Sequence, residues 1–435
     1  MKKIYQYILL VVAMVATASC SNELDEALQP ANNGTLQFVV SDFPMFGEGT
    51  QTRVIGTQDE GKTAWENGDQ IIVTLISQKY GEQAAALTYN GSSWSTEASL
   101  SYLENETPSI SVIYAPCYEV TEEGTMQLRS GMQLGMTEYL SGNYEIENGI
   151  MTITFEGAIR TYSRLRIAGL ANQTLTVTTT DFTPAGATEV ATAAYTLTTD
   201  NNGNAFLYGV FAEGATVIVK QGDITLKDYT FTAEKNPNGT EYNKSYALDA
   251  TPVIDGTLGG KATVTKEEVN ALVEKLKEYV DNGITTIIVP GTEYAMYKSN
   301  LGTIPAFAEA LYLLTDLNED SPYCGTIDLI LPDATEIIDF SFDSADALKS
   351  ITLPKVTTVG DGAFYGCYYL QTITFGSVVT AINHNTKAEF HWVGKKVEGC
   401  DLILNREQVN AEADYQPNIE TRTWWNTEWK SITLK

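Results

Sequence analysis

Histidine and basic residues are scarce in this chain of 435 residues. It contains 2 histidines, and its 27 lysines and arginines are outnumbered by 55 aspartates and glutamates, which gives a formal net charge of −28. Histidine is the most common general base and a frequent zinc ligand, so chemistry of either kind has few candidates here. A chain this acidic is repelled by a phosphate backbone, and the sequence holds no local basic patch. We therefore expect no nucleic acid partner.

Recognisable catalytic motifs are also missing. The sequence contains no G-x-S-x-G, P-loop, Rossmann or H-E-x-x-H pattern, so nothing marks a nucleophile or a phosphate cradle. His384 and His391 stand seven residues apart with Glu389 between them, a spacing that suits paired metal ligands on neither a helix nor a strand. The sequence predicts a protein that binds rather than catalyses, with no catalytic residue, no metal site and no cofactor.

Cysteine is rare, and its spacing fits neither a metal site nor a disulfide framework. Apart from Cys20, the chain contains Cys117, Cys324, Cys367 and Cys400, and no two of them form a C-x-x-C pair. A chain of this length does not need disulfide staples to hold a core. We expect the four to be buried free thiols.

Only one long apolar run is present, and it lies at the N-terminus. Residues 4–19 follow two lysines and are too short and too weakly flanked for a stable membrane span, so residues 1–19 are typical of a secretory signal. The run ends in TASC, which resembles a bacterial lipobox, although Thr17 departs from the usual aliphatic residue. The resemblance implies that Cys20 carries the lipid, which would give stable anchoring without a protein span. The alternative is an ordinary signal peptide cleaved just before it.

The segment that follows, residues 20–35, is polar and acidic without apolar periodicity, and it predicts a flexible tether. An acidic stretch directly after the lipidated cysteine also resembles the export signal of Gram-negative anaerobes. That resemblance implies a lipid-anchored protein of the outer membrane that faces the cell exterior. The alternative is a solvated spacer on a lipoprotein that faces the periplasm.

Residues 36–250 show strand patterns and no helical period. Asn90-Gly91 is the two-residue signal of a type I′ hairpin, and short alternating runs recur between turns rich in asparagine and glycine. This spacing predicts antiparallel β-sandwich architecture. The stretch is too long for one seven-stranded sandwich, so we predict two, at residues 36–141 and 142–250.

Several segments of this region resemble the fimbrillin family of surface proteins. They are Thr52-Arg53, residues 63–75, Trp94, residues 111–118, residues 138–142 and residues 151–167. The resemblance implies a lipoprotein that forms, caps or anchors fimbriae, since some members polymerise by donating a strand after a protease cuts behind an N-terminal arginine. Arg53 occupies a comparable place and is the candidate processing site. The alternative, which we favour, is an ordinary solvent-facing arginine.

A glycine-containing linker and two helices open the last predicted domain, residues 251–435. Residues 251–264 hold several glycines and a proline, which favours a domain boundary. Thr265 stands three residues before Glu268 in a capping box, which predicts the start of a helix. A second helix is expected to begin at Pro305.

A repeat of 22 residues follows the two helices. The apolar triplet at residues 329–331 recurs at residues 351–353 and again at residues 373–375. Such a period marks a solenoid, because each unit is too small to bury its own apolar face and must stack on its neighbours. The copy at residues 351–373, ITLPKVTTVGDGAFYGCYYLQTI, resembles the BspA-type leucine-rich repeat. We interpret its Cys367 as a small buried residue rather than a nucleophile.

Two signals near the solenoid bear on what it contacts. Trp424, Trp425 and Trp429 lie where a solenoid needs a cap over its last coil, and capping is the interpretation that we favour. The alternative is an exposed aromatic contact surface that stacks on sugar rings or anchors a protein. Asp343-Ser344-Ala345 also resembles a short acceptor motif for O-glycosylation.

These patterns predict a mainly β protein with two tandem antiparallel β-sandwiches, followed by a short leucine-rich-repeat solenoid with an α-helical N-terminal cap. Both resemblances imply a cell-surface lipoprotein that acts as an adhesin or accessory fimbrial component and binds protein partners through the repeat domain. The expected partners are outer-membrane lipid through the anchor, host or bacterial surface proteins, and fimbrial subunits. The alternative function is glycan binding by a surface lipoprotein of a nutrient-uptake system.

Overall fold

The computed structural model describes most of the chain beyond the expected tether. The described residues are 37–44, 62–98, 100–102, 106–147, 150–155, 160–234, 236, 238–300, 302–316, 318–382, 390–425 and 427–435. The expected lipid-attachment residue Cys20 and the candidate processing residue Arg53 lie outside them. None of the helices in these ranges combines the length and the apolar character that crossing a membrane requires.

The described residues of the first module form nine strands. They are β1 Gln37–Val40, β2 Gln70–Ser77, β3 Gly81–Tyr89, β4 Trp94–Ser95, β5 Ser109–Tyr114, β6 Tyr118–Val120, β7 Met126–Leu128, β8 Leu140–Glu147 and β9 Ile150–Thr154. Seven of them form a sheet in the order β1-β9-β8-β5-β2-β3-β4, and β6 pairs with β7. In β8, residues 140–142 pair with β5, whereas residues 143–147 pair with β9. Because one strand changes partner, the sheet folds over a main core to which β2, β3, β5 and β9 all contribute, and a smaller apolar cluster packs between the sheet and the β6–β7 pair.

The boundary between the two β modules differs from the expected one. Strands β8 and β9 pair with β5 and β1, so the first sheet crosses the boundary expected between residues 141 and 142 and extends to Thr154. The alternating pattern of β9 indicated a strand correctly. It could not show which sheet the strand joins, because pairing partners are set by contacts distant in sequence.

In the second module, seven strands lie within the described ranges. They are β10 Ser163–Ala168, β11 Thr174–Pro184, β12 Ala191–Thr198, β13 Asn204–Phe211, β14 Thr216–Gln221, β15 Ile224–Thr230 and β16 Ser245–Asp249. The order is β15-β14-β11-β13-β10-β16, and β12 also pairs with β11. A bulge between Thr179 and Phe182 moves β11 from β14 to β13, which again wraps the sheet around one core. Two edge pairs, β1 with β9 and β10 with β16, are parallel in an otherwise antiparallel arrangement.

Close contacts connect the two β modules. Arg160, in the segment between β9 and β10, donates a 2.9 Å hydrogen bond from its guanidinium to the Glu138 carboxylate of the first module, and their side chains are 1% and 7% exposed. Gly186 adopts a φ of +85°, and a Cβ there would lie 2.5 Å from the Tyr139 ring, so only glycine permits this approach. The two sandwiches therefore pack against each other closely.

Helices and short strands open the third domain. Helix α1, Lys266–Asp281, begins at the predicted capping box, because Thr265 accepts from the Glu268 amide and the Glu268 side chain accepts from the Thr265 amide. Helix α2, Ala306–Thr315, begins directly after Pro305, as expected. The early strands are β17 Thr286–Ile288, β18 Met296–Lys298 and β19 Thr303–Pro305.

The solenoid itself follows the repeat. Its remaining strands are β20 Ile327–Ile330, β21 Glu336–Ile337, β22 Leu348–Leu353, β23 Thr358–Val359, β24 Thr372–Phe375, β25 Ala381–Ile382, β26 Asp401–Leu404, β27 Thr423–Trp424, β28 Thr427–Glu428 and β29 Ser431–Leu434. Two 3₁₀ turns, Arg406–Asn410 and Ala413–Tyr415, precede β27. A parallel sheet runs β17-β20-β22-β24-β26-β29, and a second, short parallel sheet runs β21-β23-β25. The register pairs Leu329 with Ile351 and Ile351 with Ile373, which matches the 22-residue period.

A stack of phenylalanine rings fills the interior of the coils. Phe342, Phe364 and Phe390 are stacked with successive ring centroids 5.6 Å apart and interplanar angles of 13° and 8°. Phe307 of α2 closes the stack at one end at 6.2 Å from Phe342. At the other end Phe390 contacts Trp424 and Trp429. The stack joins the helical cap to the terminal cap through the middle of the domain.

The second sandwich is docked on the helical end of this domain. The Asn282 side chain, at the end of α1, accepts a 2.9 Å hydrogen bond from the amide of Asp223 in the β14–β15 turn. Gly222 has a φ of +57°, and a Cβ there would lie 2.5 Å from Asn282 Oδ1. Ile224, the next residue after the turn, belongs to the core of the third domain. The glycine-containing linker is thus bridged by packed contacts.

Replacing Phe364 by alanine should destabilise the third domain by about 3–5 kcal/mol, because it removes the central ring of the stack and leaves a cavity between two others. Urea unfolding followed by tryptophan fluorescence would measure this, since four of the six tryptophans lie in the domain. Tyr365→Ala is the matched control, because its ring lies on the surface beside the stack, and it should cost about 1 kcal/mol or less. Equal losses for the two variants would contradict the structural role of the stack.

Candidate functional site

The parallel sheet of the solenoid has an outward face formed by two rows of side chains. One row consists of Thr286, Asp328, Ser350, Thr372, Asp401 and Ser431, and the other of Ile288, Ile330, Thr352, Thr374, Ile403 and Thr433. Their neighbours along each strand point into the core, so alternation leaves these residues half-buried or exposed. We call this surface the outer sheet face. It is flat, rich in hydroxyl groups and made of short side chains.

The carboxylates on the outer sheet face are already engaged. Asp328 accepts a 2.6 Å hydrogen bond from Ser350 Oγ and a 3.3 Å bond from Lys349 Nζ, and Asp401 accepts a 2.7 Å bond from Ser431 Oγ. Because these bonds link adjacent strands, they hold the hydroxyls of Ser350 and Ser431 in fixed positions. The face therefore presents an ordered polar surface rather than a cluster of free charges.

A second surface lies on the solenoid turns that carry the stacked phenylalanines Phe364 and Phe390. Tyr365, Tyr368, His391 and Trp392 form a cluster that we call the aromatic surface. The ring of Tyr365 stacks on His391 at 5.8 Å and lies 5.3 Å from Trp392, and Tyr368 lies 6.0 Å from Trp392 at an interplanar angle of 20°. Phe364 and Phe390 point inwards, whereas the residues next to them in sequence point outwards, so each turn supplies one ring to the core and another to the surface.

Trp392 occupies a backbone position that favours glycine. Equivalent positions in successive coils are Ser344, Gly366 and Trp392, with φ values of +54°, +67° and +66°. The left-handed region costs a residue with a Cβ roughly 1–2 kcal/mol, and glycine avoids that cost. Trp392 is nevertheless 39% exposed, so burial of its ring recovers only part of the lost energy. The equivalent glycine of the repeat is the sequence signal that could have located this surface.

The tryptophans expected near the end of the chain form the cap. Trp424 and Trp429 are 1% and 2% exposed, and their indole N–H groups donate to the carbonyls of Tyr415 and Trp424 at 2.9 and 3.2 Å. Trp425 is half-buried and stacks on Tyr415 at 5.2 Å. An exposed contact surface at Trp424 and Trp429 is therefore wrong, because the last coil needs both rings to cover its apolar interior.

The expected thiols are free. Cys117, Cys367 and Cys400 are buried, and Cys324 is half-buried. Burial raises the pKa of the Cys367 thiol, which agrees with a packing role and not with a nucleophile.

The other residues singled out by sequence have separate locations. His391 belongs to the aromatic surface, whereas His384 and Glu389 lie outside the described residues. Ser344 is half-buried, and its hydroxyl donates a 2.7 Å hydrogen bond to the Asp343 carboxylate. No cluster of three or more metal-ligating side chains occurs in the described ranges.

Comparison with known proteins places the repeat in a family. Residues 323–389 match the family model described as the BspA type leucine rich repeat region. This confirms the BspA-type repeat that the copy at residues 351–373 predicted. No match was found among curated proteins.

Solved structures that match the chain include two proposed cell adhesion proteins and a pilin. A proposed cell adhesion protein from Bacteroides fragilis NCTC 9343 is 11% identical, and the match covers 50% of this chain and 92% of that protein at a TM-score of 0.25. A proposed cell adhesion protein from Bacteroides ovatus ATCC 8483 is 12% identical, with 52% and 93% covered at a TM-score of 0.26. The shaft pilin SpaA from Lactobacillus rhamnosus GG is 11% identical, with 42% and 93% covered at 0.17. At such TM-scores, nothing about binding or assembly carries over from these proteins.

A buried carboxyl group beneath the aromatic surface should make stability depend on pH. Asp346 is 3% exposed and accepts a 3.1 Å hydrogen bond from the Tyr368 amide, and burial raises its pKa from 3.8 to about 6. Because the folded pKa lies above the unfolded one, its contribution is fully present below pH 3.8 and is lost as pH rises through about 6. The loss approaches about 3 kcal/mol.

Asp346→Asn keeps a neutral acceptor for the Tyr368 amide and should abolish this loss. When the pH is raised from 4 to 7.5, the free energy of unfolding of the variant should increase by about 2–3 kcal/mol relative to that of the unmodified protein. Urea unfolding of both proteins at both pH values would measure it, because all other carboxyl groups cancel in the comparison. A difference that does not change with pH would contradict a raised pKa at this residue.

Proposed function

We propose that the chain is a lipid-anchored cell-surface protein that acts as an adhesin or accessory fimbrial component. In this proposal the repeat domain binds host or bacterial surface proteins through the outer sheet face, and the protein does not catalyse a reaction. The observation that carries the proposal is the parallel sheet of six strands, whose outward side chains are short, ordered and covered by no other element in the described part of the chain. Solenoid proteins commonly use such repeated surfaces for binding.

The size of the outer sheet face limits how strongly one copy can bind. Six strands at ~4.8 Å spacing give a width of about 24 Å, and three residues along each strand give roughly 10 Å. The resulting area of about 240 Å² is well below the ~800 Å² per partner of a standard protein complex. A partner must therefore also contact the flanking turns or bind weakly. Many copies on one surface would compensate by avidity, which is the regime in which adhesion operates.

The packing between modules supports a role in presenting the repeat domain. The close approach of Gly186 to Tyr139 joins the two sandwiches, and the buried Ile224 of the second sandwich packs in the core of the third domain. Domains tied by buried contacts move together, whereas a bare flexible linker would let them swing. The BspA-type match and the lipobox resemblance at the N-terminus are the other supports.

Two other possibilities have less support. Glycan capture through the terminal tryptophans is one, because two of the three are buried in the cap. A fimbrial shaft subunit would need processing at Arg53, which stays a prediction. If the chain polymerises after this processing, undenatured cell extracts should show a series of bands spaced by the mass of one chain, and these bands should disappear in Arg53→Ala.

The outer sheet face can be tested with a single central substitution. Thr352→Arg places a long charged side chain in the middle of the face and should weaken capture of the chain from Asn22 onward by immobilised fibronectin, collagen or laminin at least tenfold. Thr303→Arg is the matched control, because Thr303 is an exposed strand residue of the same domain outside the outer sheet face. Circular dichroism checks that both variants fold. Capture that survives Thr352→Arg unchanged would rule out this face as the contact.

The anchor is tested independently of the binding face. Cys20→Ala should abolish incorporation of radiolabelled palmitate in the producing cells, because the thiol that carries the lipid is gone. In the unmodified protein, external protease should degrade the chain on intact cells. Palmitate labelling that persists in the variant, or protection from external protease, would remove the basis for a surface role.

A further inference from the structure

The aromatic surface offers polar groups that the fold does not use. Within the described residues, no hydrogen bond engages the hydroxyl of Tyr365, the hydroxyl of Tyr368 or the ring nitrogens of His391. Lys395 lies with its ammonium 4.9 Å from the centroid of the Trp392 ring. The surface therefore combines aromatic rings with unused donors and acceptors at their edges, and no aliphatic side chain belongs to the cluster.

The position of Trp392 is hard to explain by stability alone. Gly366 supplies the same left-handed turn one coil earlier at no steric cost, with a φ of +67° against +66° for Trp392. The indole ring is among the exposed large apolar side chains of the molecule, whereas Phe390, two residues before it, already fills the core. Backbone strain that burial does not repay is commonly found at binding sites. This strained backbone directs the Trp392 indole ring outwards, where it lies among the other three rings of the aromatic surface.

We propose that the aromatic surface is a carbohydrate-binding site that takes a pyranose ring of a host or bacterial glycan. A pyranose has one face of C–H groups with slight positive charge, which is attracted to the negative face of an aromatic ring. Its hydroxyl groups lie around that face, where the phenol groups, the imidazole and the ammonium group can bond them. The exposed rings and the unused polar atoms are thus explained by one ligand.

A protein partner fits this surface less well. Protein interfaces bury their anchors in well-packed pockets surrounded by other apolar contacts. The aromatic surface lies on exposed turns, whereas two cavities of ≈ 360 and ≈ 450 Å³ are lined by residues of the β modules. A sugar ring needs only a flat platform and polar edges. This inference goes beyond the proposed protein contact, because it concerns the turns and not the outer sheet face.

Trp392→Gly is the decisive variant. Glycine suits the φ of +66°, so the substitution removes the indole ring while relieving backbone strain, and the variant should be about as stable as the unmodified protein. We expect its affinity to fall at least tenfold for the saccharides that the unmodified chain binds. The probes are an array of neutral and acidic oligosaccharides that includes mucin O-glycans, followed by fluorescence titration with each saccharide bound.

Trp425→Gly is the matched control. It makes the same substitution at another left-handed residue of the domain, with a φ of +54°, but in the terminal cap. It should keep saccharide binding within twofold, and so should Thr352→Arg on the outer sheet face. The proposal is overturned if no saccharide on the array binds, or if saccharide binding is the same in Trp392→Gly. Loss of matrix-protein capture in Thr352→Arg alone would bear only on the protein contact, so the two proposals can fail separately.

Discussion

Each coil of the solenoid can bury its apolar residues only against the coils beside it, and the third domain depends on this mutual cover. The pairing of Leu329, Ile351 and Ile373 in register places one phenylalanine ring above the next, so Phe342, Phe364 and Phe390 form a continuous stack. A stack of this kind has two open ends. Helix α2 covers one end, and the tryptophans of the terminal turns cover the other. The outer sheet face and the aromatic surface lie on the outside of the coils because the inside is filled in this order.

Specific contacts hold the segments that connect the three modules. Arg160 lies between the last strand of the first sandwich and the first strand of the second, and its guanidinium and the Glu138 carboxylate are both removed from water, so each would be costly without the other. Burial raises the pKa of the Glu138 carboxyl, and the hydrogen-bonded Arg160 beside it acts in the opposite direction. At the other junction, the close approach of Gly222 lets Asn282 accept from the following amide. Such contacts have strict geometry, so they specify one arrangement of neighbouring modules more sharply than apolar packing alone.

The turns of the solenoid separate buried aromatic residues from those on the surface. Phe364 and Tyr365 are adjacent in sequence, as are Phe390 and His391, yet the first of each pair lies in the core and the second on the surface. In the sequence, the terminal tryptophans therefore stand out first among the aromatic residues, because they are clustered. Trp392 does not stand out, because its significance lies in the φ of its backbone. Aligning the coils would place Trp392 opposite Gly366, but only the structure shows that both adopt the left-handed conformation.

The sequence by itself determined the mainly β character, the capping box of the first helix and the 22-residue repeat, because periodicity and caps are local signals between neighbouring residues. The tertiary structure decided which strands pair, how far the first sandwich extends and which aromatic side chains stay exposed. Strand β9 shows the reason: its alternation marks a strand, but its partners β1 and β8 are chosen by a core that β2, β3 and β5 also build. Trp424 and Trp392 illustrate the same reason. Trp424 is buried because it covers the open end of the last coil, whereas Trp392 has no open coil beneath it and stays exposed.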